Sequence, residues 1–124
     1  MRLVVVSNRV TMPERGEKVA AGGLAVALRS ALEQHGGLWF GWSGATRTEP
    51  ATSVEPVRHG KVSYAVTDLT EAERQSYYLG FANRALWPLM HYRLGLTEFR
   101  RADYAGYLGV NRRFARLLMP LLQP

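Results

Sequence analysis

Apolar and polar residues follow two rhythms along this chain, and each rhythm predicts a different element. Leu3 to Val6 is apolar at every position and ends at Ser7, Asn8 and Arg9. An unbroken β-branched run of this kind suits a strand buried on both faces, as in a parallel sheet. Thr11 to Ala20 has no consistent period and carries Pro13, Gly16 and four charges, which is the pattern of a loop. After Gly22-Gly23 the period becomes helical. Leu24, Ala27, Leu28, Ala31 and Leu32 share one face, and His35-Gly36-Gly37 closes the segment.

Leu38 to Trp42 predicts a second strand, followed by a polar loop from Ser43 to about Ser53. Val62, Tyr64 and Val66 alternate with Ser63, Ala65 and Thr67, as in a half-exposed strand. His59-Gly60 supplies a tight turn from a partner strand at 54–58. Thr70 with Glu73 spells a capping box, in which hydroxyl and carboxylate each take one orphan amide of a helix start. That helix carries Tyr78, Phe81, Ala82, Ala85 and Leu86 on one face, and Pro88 is expected to end or kink it. Asp103 is placed to cap a last helix bearing Tyr104, Tyr107, Leu108, Phe114, Leu117 and Leu118.

The order strand, long loop, helix, strand, hairpin, helix, helix implies an α/β fold with a largely parallel sheet and a right-handed crossover. No strand pattern comes after the last helix, so the sheet is expected to be unfinished and the chain to be part of a larger domain. With 124 residues, 47% of them hydrophobic and 21% charged, the chain has the composition of a folded protein. The absence of cysteine excludes disulfides, thiol nucleophiles and Cys-ligated metal, and is compatible with the cytoplasm. No apolar run approaches the roughly 18 residues of a membrane helix, and the apolar start is too short for a signal peptide.

The formal charge of +6 is unevenly spread. Up to Asn83 the charges nearly cancel, whereas Arg84, Arg93, Arg100, Arg101, Arg112, Arg113 and Arg116 face only Glu98 and Asp103 beyond it. Such an excess can bind phosphate, pair with an acidic surface or form a solvated face. No aromatic–basic interleaving or reader motif accompanies it, which disfavours nucleic acid as a partner.

Two places could carry chemistry. Arg9 stands at the carboxyl end of the first strand, where open α/β sheets bind ligands. Gly22 and Gly23 open the next helix, where uncovered amides and an effective charge of about +0.5 favour phosphate; the alternative is that they only turn the chain. Neither a dinucleotide fingerprint nor a P-loop is present. The second place is the aromatic group Trp39, Trp42, Tyr77, Tyr78 and Trp87, whose rings can stack on sugars or fill a core. On helical spacing Tyr78 joins the core stripe, Tyr77 points about a quarter-turn away, and Trp87 beside Pro88 is placed to face a cleft. His35, His59 and His91 lack i, i+4 companions, and Ser7 and Ser43 lack a recognisable base. No catalytic residue, metal ligand or cofactor is assigned, and the chain reads as a binding half.

Leu3 to Arg9 (LVVVSNR), Ala21 to Val26 (AGGLAV), Gly37 to Gly44 (GLWFGWSG), Tyr77-Tyr78, Leu86 to Pro88 (LWP) and His91 to Arg93 (HYR) together resemble the trehalose-6-phosphate synthase family, in its order and spacing. The resemblance implies the GT-B glycosyltransferase architecture, two Rossmann-like domains with the active site between them. It also implies transfer of glucose from UDP-glucose to glucose 6-phosphate, with retention and without a metal. By resemblance, residues 1–124 are the N-terminal part of the acceptor-binding domain, and the nucleotide-sugar-binding C-terminal domain is absent. Arg9 looks like the acceptor-phosphate ligand, Tyr78 its hydroxyl companion and Trp87 the tryptophan of the acceptor sugar site. Gly22 and Gly23 resemble the glycines facing the donor diphosphate, and the loop from Val10 to Ala20 the flap over the site. Here the resemblance prefers Tyr78 where spacing alone prefers Tyr77. The implied reaction is a front-face displacement in which the leaving diphosphate helps deprotonate the acceptor. A homo-oligomer of the full-length protein is compatible with the resemblance. The competing expectation is a non-catalytic sugar-phosphate or anion-binding module.

Overall fold

The computed structural model describes residues 2–13 and 23–123. In chain order these form β1 (Leu3–Arg9), α1 (Gly23–His35), β2 (Gly37–Arg47), β3 (Val57–His59) and β4 (Val62–Thr70). Beyond them come α2 (Glu71–Glu73), a π-wound helix (Arg74–Leu86), α3 (Trp87–Met90) and α4 (Arg101–Leu118), with short 3-10 turns at Leu94–Leu96 and Met119–Leu122. The chain divides into two compact units, residues 1–45 with 51–68, and residues 46–50 with 69–124. Among the described residues no helix is long and apolar enough to cross a membrane.

The first unit holds a four-stranded sheet in the order β1-β2-β4-β3. β1 and β2 pair in parallel from Leu3↔Gly37 to Ser7↔Gly41, and α1 is the crossover between them. β3 and β4 pair antiparallel across the turn at Gly60, whose φ of +64° carries no Cβ penalty. The sheet is therefore mixed rather than largely parallel. Its core joins Val10, Leu32, Trp39, Val62 and Tyr64, with Leu28 of α1 packed against them. Burial of such side chains contributes about 1.5–3 kcal/mol each.

Three expectations for this unit are corrected. β1 stands at the end of the strand order, and Val6 is 52% exposed, so the run is not buried on both faces. β2 continues through Ser43 to Arg47 where a loop was expected. Hydrogen bonds from Trp42 Nε1 to the Ala45 carbonyl and from the Ala45 amide to Ser43 Oγ hold the polar segment in place. β4 is buried on both faces, by Val62 and Tyr64 on one side and by Ala65 and Thr67 on the other. Alternation predicted a single buried face, yet β4 sits inside the sheet between β2 and β3.

The second unit is helical. Thr70 and Glu73 form the predicted capping box, with Glu73 N donating to Thr70 Oγ1 at 3.2 Å and Thr70 N to Glu73 Oε1 at 2.9 Å. The other Glu73 oxygen pairs with Arg113 of α4. Gly80 faces Asp103 and Gly106 faces Ser76 so closely that a Cβ at either position would overlap its neighbour. Around these contacts lies an aromatic cluster, with Phe81–Tyr107 centroids 4.6 Å apart and Tyr77–Tyr107 centroids 5.6 Å apart. Such pairs contribute about 0.5–1.5 kcal/mol beyond their area.

Pro88 lies near the start of α3, where the winding changes from π to α, and helical structure stops two residues later at Met90. Elsewhere in this unit the structure departs from the pattern. Asp103 does not cap α4. Arg100 takes that position, and Asp103 lies in the first turn, where its charge suits the helix end. The buried face of α4 is Val110, Phe114 and Leu117, while Tyr104 is exposed on one side of the cluster. The π-wound helix buries Tyr77, Gly80, Phe81 and Ala85, with Tyr78 only half-buried.

Candidate functional site

The first candidate centre is the carboxyl end of β1. The β1–β2 register slips between Ser7 and Arg9, so that Ser7 pairs with Gly41 and Arg9 with Trp42. The extra residue, Asn8, makes a bulge-like irregularity, a feature that commonly bends a strand and re-aims the residue beyond it. Ser7 Oγ accepts from Trp39 Nε1 at 2.9 Å and donates to the Arg9 carbonyl at 3.0 Å. The Val10 amide donates to the Trp42 carbonyl at 2.9 Å. The backbone at Arg9 is thus held on both sides while its side chain is exposed. The guanidinium forms no ion pair with a described residue. α1 is the crossover between parallel strands, so its N-terminus at Gly23 lies at this same end of the sheet.

The second centre lies in the helical unit. Its π winding decides which tyrosine faces outward. The Trp87 amide donates to the Ala82 carbonyl, five residues back, and such a ladder carries roughly 4.4 residues per turn. Tyr77, Phe81 and Ala85 then stay near one line, whereas Tyr78 turns away from it. Tyr77 is 6% exposed and packs between Tyr107 and Phe114. Burial, with Tyr107 beside it, pushes the Tyr77 hydroxyl up to about 12. Tyr78 and Trp87 are nine positions apart, about two full turns of such a ladder, a spacing that favours the same side of the helix. On an α-helix they would lie on opposite sides. Trp87 is 51% exposed, with the His91 ring stacked on it at 4.1 Å and His91 Nδ1 2.7 Å from the Trp87 carbonyl.

The profile of glycosyltransferase family 20 matches residues 1–124. The chain belongs to that family. It is 54% identical to a trehalose-6-phosphate synthase of Sinorhizobium fredii, over 99% of this chain and 27% of the relative. It is 49% identical to the solved alpha,alpha-trehalose-phosphate synthase (UDP-forming) of Burkholderia vietnamiensis, with a TM-score of 0.87 over 99% of this chain and 27% of that one. The Burkholderia xenovorans enzyme, solved in complex with glucose-6-phosphate, is 41% identical, with a TM-score of 0.86 over 99% of this chain and 26% of that one. The chain spans about a quarter of the length of these relatives. Over that quarter it shares their mixed α/β fold.

Within this family 20 chain the sequence candidates sort themselves by burial. Trp39 and Trp42 are core residues, 4% and 3% exposed, and each indole N–H is spent inside the fold. Tyr77 is core as well. Tyr78 is half-buried in the π-wound helix, and Trp87 is exposed at the start of α3. Gly23 begins α1 with open space around its Cα, while Gly22 lies outside the described residues, as does most of the loop from Val10 to Ala20. Ser7 and Ser43 act as structural pins: Ser7 on the Arg9 backbone, Ser43 donating a short hydrogen bond to Asp68. Arg113 and Arg100 of the arginine excess are paired with Glu73 and Glu98. Sequence reading missed Asn8 and Gly44, the residues that shape the surroundings of Arg9. Both lie in runs that carry the family resemblance, LVVVSNR and GLWFGWSG, but neither run says what stands opposite Gly44.

Proposed function

We propose that this chain is the acceptor-side part of a UDP-forming trehalose-6-phosphate synthase, an enzyme that transfers glucose from UDP-glucose to glucose 6-phosphate with retention. Residues 1–124 are read as the N-terminal part of the acceptor-binding Rossmann-like domain of a GT-B enzyme. Arg9 holds the acceptor phosphate through its planar fork of donors, which suits phosphate oxygens two at a time. Tyr78 supplies a hydroxyl to the same phosphate, and Trp87 offers its open surface to the sugar ring. Gly22 and Gly23 face the donor diphosphate at the helix start. The reading includes a cytoplasmic location, in keeping with phosphorylated substrates, and no nucleic acid or membrane partner.

The observation that carries the proposal is the exposed Arg9 guanidinium, anchored through its backbone at the carboxyl end of a parallel strand and unpaired among the described residues. Titration calorimetry of the 124-residue chain with glucose 6-phosphate tests it. Arg9→Ala should weaken binding at least about tenfold, since hydrogen bonds to charged groups contribute about 1.5–3 kcal/mol. Equal binding by wild type and Arg9→Ala would refute the acceptor role. Incubated with both substrates, the 124 residues alone should form no trehalose 6-phosphate, and product formation would overturn the part-enzyme reading.

A further inference from the structure

We infer that Gly44 is a positioning residue for the Arg9 guanidinium, and this rests on the acceptor reading of Arg9 given above. A Cβ built on Gly44 would lie 2.7 Å from Arg9 Nη2 and 2.8 Å from both Cζ and Nε. Three guanidinium atoms at nearly equal distance mean that the flat face of the group covers the Gly44 Cα, in space that any other residue would fill. Its edge, where the N–H donors point, is left for a ligand. Gly44 also has a φ of +91°, a conformation that L side chains rarely adopt. The surrounding chain is tied by hydrogen bonds, whereas the far end of Arg9 is a flexible side chain. The Trp42 indole donates to the Ala45 carbonyl at 2.8 Å, the Ala45 amide to Ser43 Oγ at 3.2 Å, and the Ser43 hydroxyl to Asp68. The glycine is thereby held between two anchored neighbours, opposite an arginine whose own backbone is pinned by Ser7 and Val10.

A side chain at position 44 therefore displaces the far end of Arg9, which is free to move, and leaves the sheet in place. The consequence falls on ligand geometry. A phosphate ligand misplaced by about 1 Å loses a large part of its effect.

The test uses the 124-residue chain with Gly44→Ala, Gly44→Asn, Arg9→Lys and Arg9→Ala, and the double variant Gly44→Ala/Arg9→Lys. The Arg9 Nε–Hε resonance, assigned by its loss in Arg9→Lys, reports guanidinium position without ligand. Glucose 6-phosphate titration reports function. Both Gly44 variants should shift the Arg9 resonance while other backbone amides stay in place, and both should weaken binding at least tenfold. Gly44→Ala should have no further effect when Arg9 is already lysine. Asparagine tolerates positive φ yet carries a Cβ, so wild-type behaviour of Gly44→Asn would assign the effect to backbone strain and overturn the inference. An unchanged Arg9 resonance in both variants would overturn it as well. If Arg9→Ala binds glucose 6-phosphate like wild type, the acceptor reading fails. Gly44 is then judged by the Arg9 resonance alone, which must still move in both variants.

Discussion

Glu73 joins two helices through one carboxylate, and its removal should be costly. One oxygen takes the Thr70 amide at 2.9 Å, and the other faces Arg113, with the two side chains only 14% and 24% exposed. In Glu73→Ala the Thr70 amide loses its acceptor, a capping loss of about 0.5–1 kcal/mol because the Thr70 hydroxyl still serves the helix. The Arg113 guanidinium is left without its counter-charge, at about 1–3 kcal/mol. Burial and the charge of Arg116 already pull that guanidinium below its ordinary value. The sum is a loss of about 1.5–4 kcal/mol, or a Tm roughly 6–16 °C lower for a chain of this size. Glu73→Gln keeps an acceptor for Thr70 and should cost about half as much. Urea unfolding of wild type, Glu73→Ala, Arg113→Met and the double variant measures the pair directly. Neighbours in one network should show a coupling of about 0.5–3 kcal/mol. A Glu73→Ala loss under about 0.5 kcal/mol, or a coupling near zero, would refute the link between the helix cap and α4.

Two glycines of α4 should respond to alanine with opposite signs. Gly106→Ala drives a Cβ into Ser76 and should destabilise by about 1–3 kcal/mol despite better helix propensity, whereas Gly109 has open space and Gly109→Ala should stabilise by about 0.5–1 kcal/mol; thermal unfolding of both variants decides. Tyr77 gives a pH signature. Its hydroxyl is raised from 10.0 to about 12 in the folded chain, so between those values the folded state keeps a proton that the unfolded state loses, and stability should fall as pH rises through that window. Urea midpoints measured from pH 9 upward should drop less in Tyr77→Phe than in wild type. An equal drop would refute the assignment.

Local chemistry was legible because its causes are local. The Thr70–Glu73 capping box, the turn at Gly60 and the extent of α1 depend on residues within a few positions of one another, and all are present. The family itself was legible from short runs spread along the chain, and with it the candidates Arg9, Tyr78 and Trp87. Helical spacing nevertheless chose the wrong tyrosine for the core, because it assumed an α ladder. The π winding of Arg74–Leu86 puts Tyr77 against Tyr107 and Phe114, and leaves Tyr78 only half-buried. The edge position of β1, the two buried faces of β4 and the fit of the Arg9 guanidinium over Gly44 were equally hidden. Each depends on which distant residue arrives opposite, and at Gly44 the deciding feature is a missing Cβ. A sequence pattern records what a side chain prefers among its neighbours; the space left by an absent one takes its meaning only when another part of the chain folds against it.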